Sequence, residues 1–312
     1  MGYQLMKPLM LLNGAFEGGF PQLYVSDGRL CLAGTEMDEP PGFFERSSNL
    51  RISSLLEYGQ LDNFLEYSVD FFNDCNSKIR IEDLEIYSPI DETAKILCAG
   101  FNYYKHNTEL GTSKPSMPYF FQRVFSTVTG PYDPILKNRM SKKMDYEVEL
   151  AIMIGKMGRN IPTERASEHI AGYFVANDVS FRDFQFNEYN QDITKTFGQN
   201  WLYGKNMDRS FPSGPWLLPK QMCTNEYFEI ETRVNGVLVQ HSSTKEMIYD
   251  VHELIHFASQ GITLKPGDVI STGTPEGTAA GGGHDFLVEG DVIEGKIKEI
   301  GSIKNKVVHD NA

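Results

Sequence analysis

The sequence predicts an α+β chain in which β structure dominates, and three observations carry the prediction. Tyr146–Ile154 alternates strictly in polarity, an Asn235-Gly236 pair joins two alternating segments, and clear helical stripes are few. The alternation sends Val148, Leu150, Ile152 and Ile154 to one face and Glu147, Glu149, Ala151 and Met153 to the other, as a strand's period of two requires. Asn-Gly accepts positive φ at both centres of a two-residue turn, so Phe228–Val234 and the run beginning at Val237 form a hairpin. Short strands joined by sharp turns do not make a doubly wound sheet, which would need strands alternating with helices.

Taken in chain order, Gln22–Val25 and Leu30–Leu32 read as a hairpin through Ser26-Asp27-Gly28. From Ser53 to Asn76 the spacing of Leu55, Leu61, Phe64 and Leu65 predicts one or two helices. Tyr87-Ser88-Pro89 forms a junction, because the residue before a proline is driven to an extended conformation. This divides the chain into an N-terminal α+β domain, 1–88, and a catalytic domain, 89–312. Within the second part, Ile96–Ala99 is an apolar strand, and Gly172–Ala176 delivers Asp178 to a loop. Lys245–Ser259 is a helix, with Val251, Leu254, Ile255 and Ala258 as its stripe and Gly261 as its C-cap. Lys265-Pro266-Gly267-Asp268 turns the chain into Val269–Thr272, and Gly290-Asp291 turns it into Val292–Ile300.

Composition narrows the partners. With 312 residues, 40% hydrophobic and 23% charged, the chain can bury an ordinary globular core. A formal charge of −13 excludes nucleic acid and anionic membrane as expected partners, since an acidic surface gains nothing from counterion release. The cysteines Cys31, Cys75, Cys98 and Cys223 are scattered without CxxC or zinc spacing and read as reduced thiols. No run of about 18 apolar residues and no secretory leader is present, which makes the cytoplasm the default compartment.

Glu147 and Glu149, two apart on one strand, leave the same face about 6.6 Å apart along the backbone. Such a pair is either the wet face of a half-buried strand or two ligands of one cation, and Asp178 shifts the balance to the second. Three converging carboxylates repel unless a cation neutralises them, and an all-oxygen set suits Mg²⁺, Mn²⁺ or Ca²⁺ and not zinc. His106 and Glu109 are three apart after the Ile96–Ala99 strand. They are either a surface pair on a short helix or a general base whose imidazole Glu109 orients. Arg182 and Lys205 could hold a substrate carboxylate, or Arg182 could simply pair with Asp183 or another acid. Thr272–Gly277 is a strand-to-loop turn with hydroxyl and amide groups that could meet a ligand.

These segments, in this order, resemble the fumarylacetoacetate hydrolase family. The resemblance rests on Ile96–Tyr103 with the following His-x-x-Glu, Asp145–Leu150, Gly172 through Asp178 to Arg182-Asp183-x-Gln185, Gly204-Lys205, Pro212-x-Gly214-Pro215, the Asn235-Gly236 hairpin and Pro266–Gly277. It spans about 95 to 312, and several ordered motifs together are far more specific than any one. It implies a β-roll catalytic domain, usually a homodimer, behind a variable N-terminal domain. It further implies Mg²⁺ or Mn²⁺ on Glu147, Glu149 and Asp178, a His106–Glu109 dyad on a mobile lid, and a substrate pocket lined by Arg182, Gln185, Lys205 and Thr274. Two departures fall beside that pocket: the long segment from Phe186 to Gly204, and Asp208-Arg209-Ser210-Phe211-Pro212 where relatives often carry Asp-Thr-x-Cys-Pro.

The resulting expectation is a metal-dependent hydrolase that cleaves the C–C bond of a small acylpyruvate-type 2,4-dioxo acid through a pyruvate enolate. His106 would activate water, with Lys205 and Gln185 stabilising charge on oxygen. Oxaloacetate-type decarboxylation and 2-oxo-enoate isomerisation or hydration share that enolate and stand as alternatives. A pseudoenzyme scaffold is the non-enzymatic one.

Overall fold

The computed structural model describes Ile52, Leu56 and residues 10–15, 22–26, 29–33, 78–80 and 85–310, except 190, 191, 193, 194, 197 and 283. The helical expectation for Ser53–Asn76 therefore lies almost wholly outside the described residues, as do the Asp27-Gly28 turn, Cys75 and the side chain of Cys31.

β structure dominates, as expected, in a large curled sheet of 12 strands, a second sheet of 5 and a two-stranded ribbon. The large sheet runs through Met10–Ala15, Phe211–Pro219, Ile170–Asn177, Val148–Ile154, Val269–Ser271, Ile96–Gly100 and Tyr119–Arg123 as successive neighbours. Gln22–Ser26 and Arg29–Ala33 pair as the expected hairpin, and Met10–Ala15 joins them to the rest by pairing Leu11 with Leu217. The smaller sheet contains the Glu229–Val234 and Val237–Ser243 hairpin, with φ of 52° at Asn235 and 81° at Gly236. Positive φ at both positions is what its two-residue turn demands.

All seven residues of Val148–Ile154 and all eight of Ile170–Asn177 are buried. Alternation in the first strand thus separates two interior faces, which removes the wet-face reading of its acids. Its apolar residues share one core with Ile297 and Ile303 of the smaller sheet, with Ile300 of the turn between them and with Leu254, Ile255 and Ala258 of the helix.

Three boundaries differ from expectation for local reasons. The strand expected from Tyr146 starts at Val148, because the backbone N–H of Tyr146 and Glu147 donate to the side chains of Asp145 and Asn177. The helix runs Val251–Ala258, six residues later than expected. Asp250 caps it by accepting from His252 N at 2.8 Å and Glu253 N at 2.9 Å, while Glu253 answers to Asp250 N at 2.9 Å. That reciprocal box fixes the start, and the preceding residues form only a 3₁₀ turn at Thr244–Glu246. The strand expected over Val292–Ile300 stops at Ile297, where Glu299 with φ of 71° turns the chain into Gly301–His309. Among the described residues no helix is long and apolar enough to cross a membrane.

Candidate active site

The central antiparallel pair brings the three expected acids together. Val148 registers with Asn177, and Asp178 N donates to Glu147 O at 2.8 Å, so the antiparallel backbone sets the start of one strand beside the end of the other. Carboxylate oxygens of Glu147, Glu149 and Asp178 all lie within 4.8 Å of one another, and the side chains are almost fully buried.

Their surroundings are unequal. Glu147 is held by Arg182 and by Lys205 Nζ at 2.5 Å, and Asp178 by the same Lys205 at 2.5 Å and by Arg123. Burial works to raise the Glu147 carboxyl, but Arg182 and Lys205 outweigh it and bring it down to about 2. Glu149 has no Lys or Arg partner among the described residues. It accepts from Ser271 Oγ at 2.5 Å and Gly273 N at 3.0 Å. Burial, then the neighbouring charges of Asp178 and Glu147, push its carboxyl well up. A hard dication fits this set: the donors are all oxygen, and the acid lacking a countercharge sits against the other two.

Facing the acids is the short helix Tyr104–Glu109, set in place by Asn102. The Asn102 amide donates to Tyr249 O at 3.0 Å and Thr272 O at 2.8 Å, and its oxygen accepts from Tyr249 N at 2.9 Å. His106 Nδ1 meets Glu109 Oε1 at 2.7 Å, which leaves Nε2 as the ring atom available to the cavity. Glu109 also accepts from Gly277 N at 2.8 Å and Thr278 Oγ1 at 3.0 Å. Burial opposes ionisation, yet the hydrogen bonds from His106 and Gly277 hold the Glu109 carboxyl below its usual range. Asp145 supports the same loop by accepting from Ala279 N at 2.8 Å and Ala280 N at 3.0 Å.

His106, the three acids, Arg182, Gln185, Lys205 and Thr274 line one cavity. Of the expected site residues only Glu109 is not in its wall, and it bonds to His106, which is. Arg182 pairs with Asp145 at 2.9 Å and with Glu147, not with Asp183, and it donates to Gln185 Oε1 at 3.0 Å. Asp183 instead accepts from Ser141 Oγ at 2.8 Å and Lys142 N at 2.7 Å. Gln185 reaches Gln199 at 3.0 Å, and the Thr274 hydroxyl donates to Val148 O at 3.0 Å.

Sequence reasoning missed Arg123, Asp145, Ser271 and Trp201. Arg123 ends a strand that opens with three aromatics, and an arginine in that run was the available signal; the structure buries it fully. Phe211, at the position where relatives often carry Cys, places its ring 5.1 Å from the Arg123 guanidinium carbon. Cys98 is a buried free thiol and Cys223 a half-buried one, consistent with the reduced reading.

Buried oxygen donors that suit a hard divalent cation, opposite an imidazole–carboxylate pair in a curled β framework, define the class of pocket. Residues 95–308 match the family model described as fumarylacetoacetate (FAA) hydrolase C-terminal. The chain is 38% identical over 267 residues to an oxaloacetate tautomerase of Xenopus laevis described as mitochondrial, covering 85% of this chain and 81% of the relative. Among solved structures it resembles a fumarylacetoacetate hydrolase from Exiguobacterium antarcticum, with TM-score 0.76, 29% identity, and 97% and 100% of the two chains covered. It also resembles a putative HpcE protein from Mycobacterium smegmatis, with TM-score 0.79, 29% identity and the same coverage. The chain belongs to the fumarylacetoacetate hydrolase family.

Proposed function

We propose that the chain is a divalent-metal-dependent enzyme, using Mg²⁺ or Mn²⁺, that catalyses keto–enol tautomerisation of a small 2-oxo acid of the oxaloacetate type. One observation carries the reading: a proton-transfer dyad and a cation-competent acid trio share one cavity. The named activity of the Xenopus relative supports the choice of reaction. Glu147, Glu149 and Asp178 would hold the ion, which when bound supplies Lewis acidity for negative charge on the 2-oxo oxygen.

The chain's own residues supply the rest. Tautomerisation takes a proton from the enol oxygen and delivers one to carbon 3, consuming no water. His106 Nε2 is the group for the carbon proton, and Glu109 stabilises the imidazolium form and fixes the ring. Lys205 presents an ammonium beside two of the acids, where it favours charge on substrate oxygen. Arg182 and Gln185 brace one another at the cavity wall, and Thr274 fixes the loop that follows Ser271.

Hydrolysis of an acylpyruvate is the second reading, favoured by the same dyad, which can equally take a proton from water. The two separate on one plate: decay of enol oxaloacetate followed by ultraviolet absorbance, against release of acetate and pyruvate from acetylpyruvate followed by mass spectrometry. Metal-dependent enol decay that His106→Ala abolishes supports tautomerisation; acetylpyruvate cleavage without it selects the hydrolase. Carbon dioxide release from oxaloacetate would select the decarboxylase. Unchanged physiological output from Glu147→Gln would select the scaffold.

A homodimer belongs to this proposal, and light scattering that returns the single-chain mass of 35.3 kDa would remove it. Fractionation of expressing cells separates the expected cytoplasmic residence from the mitochondrial one in the relative's name.

A further inference from the structure

Among the described residues the Glu229–Val234 and Val237–Ser243 hairpin contributes nothing to the cavity wall, yet it reaches the dyad through one side chain. Its register slips between Thr232↔Gln240 and Arg233↔Leu238, which leaves Val239 as an extra, bulged residue. The Val239 carbonyl lies against Gly277, where a Cβ would fall 2.1 Å from that oxygen. Gly277 also has φ of 97°, so the close approach and the backbone both demand glycine. Beside the bulge, Gln240 turns inward and is 1% exposed.

Every polar atom of that side chain is used. Gln240 Oε1 accepts from Thr232 Oγ1 at 2.7 Å, and Nε2 donates to Thr274 Oγ1 and to Pro275 O, both at 2.9 Å. A carbonyl can only accept, so Pro275 settles which way the amide faces. Thr274 gives its one hydroxyl proton to Val148 O at 3.0 Å, so this hydroxyl ties the loop to both sheets and has no proton left for a ligand. Further along the same loop, Gly277 N and Thr278 Oγ1 hold Glu109 at 2.8 and 3.0 Å, and Glu109 meets His106 at 2.7 Å. Tyr146 Oη donates to Gly277 O at 2.9 Å and steadies the middle of the loop. Gln240 is neutral, so what it passes along this path is placement, not charge.

We infer that Gln240 is a positioning residue for proton transfer: from the smaller sheet it sets the loop from Thr274 to Thr278, and through Gly277 N it sets how Glu109 meets His106. The inference rests on the proposed function for its kinetic readout and adds a residue which that reading does not use. It also gives the Asn235-Gly236 hairpin a part in the site. The competing role is stability alone, since a buried amide with all its hydrogen bonds made also holds a core together.

Two measurements on the full chain separate these roles. With Mn²⁺ and enol oxaloacetate, Gln240→Leu is expected to lower kcat about tenfold, while KM and the Mn²⁺ affinity seen by calorimetry stay within about twofold. In a Glu109→Gln background the same substitution is expected to lower kcat by less than about twofold more, because residues acting along one path are not additive. Thr232→Val, which keeps Gln240 but removes the hydroxyl that steers it, is expected to give a smaller loss of the same pattern and stands in if Gln240→Leu does not fold. The second measurement needs no turnover: the ring ¹H–¹⁵N signals of His106 with Mg²⁺ present, assigned by their loss in His106→Ala, are expected to shift in Gln240→Leu. An unchanged kcat, the full tenfold loss repeated in the Glu109→Gln background, a parallel loss of Mn²⁺ affinity, or unmoved His106 signals overturns the inference. A wild-type chain that binds no Mn²⁺ or does not turn over enol oxaloacetate overturns the functional reading instead, and the His106 signals then decide the inference by themselves.

Discussion

The acid floor and the His106–Glu109 dyad meet in one cavity but are built differently. The floor hangs from two central strands buried on both faces, with its acids registered by backbone hydrogen bonds. The dyad sits on a helix of six residues and depends on a loop, through Gly277 N and Thr278 Oγ1, for the position of Glu109. The difference teaches that the proposed cation binding and proton transfer would be separately adjustable, because one is set by sheet register and the other by a few side-chain bonds.

The most damaging test of this contrast is Glu149→Gln. Mn²⁺ affinity measured by calorimetry should fall more than about 100-fold, since even an outer-shell loss costs about 10–100-fold, and turnover should vanish with it. The metal-free chain should melt no lower than wild type, because the substitution removes a carboxyl that burial already disfavours. A lower melting temperature would mean that Glu149 is structural. His106→Ala attacks the other half: kcat should drop about 10²–10⁴-fold while Mn²⁺ affinity holds. Joint loss of both would erase the separation.

Gly281→Ala probes the dyad's support. An added Cβ would fall 2.3 Å from the Glu109 carboxyl carbon, the mobile end of a side chain, so Glu109 should shift and the backbone stay. Turnover should decline about tenfold, within the range for perturbed acid–base catalysis, with the melting temperature nearly unchanged. The smallest effect is in pH. Glu149, raised when folded, makes the metal-free chain hold an extra proton above the usual carboxylate range, so this contribution to stability declines as pH climbs. Glu147, brought down to about 2, contributes above the usual range and loses that contribution as pH falls toward 2. An entering ion would have to displace the Glu149 proton, so the rise in melting temperature on adding Mn²⁺ should grow as pH climbs above the usual carboxylate range. A rise independent of pH would show that Glu149 is ionised without the metal.

The floor was more legible in the sequence than its wiring. Alternation exposed Glu147 and Glu149 on one face, and Asn235-Gly236 fixed a hairpin, because both are local consequences of strand period and turn geometry. Asp145 and Arg182 are 37 residues apart, and Arg123 and Asp178 are 55 apart. No local spacing encodes those partners; they follow from which strands become neighbours. The same blindness sent Arg182 to Asp183 as a candidate partner, when the sheet delivers Asp145 and Glu147. Trp201 escaped notice because stacking with Phe121 across 80 positions leaves no periodic trace.

The bond from Asp178 to the Glu147 carbonyl has a last consequence. It ties chelating geometry to correct alignment of two chain segments, so slippage by one residue would dismantle the cage. Manganese uptake during refolding can therefore serve as a clock for when the centre of the molecule has zipped into its native pairing.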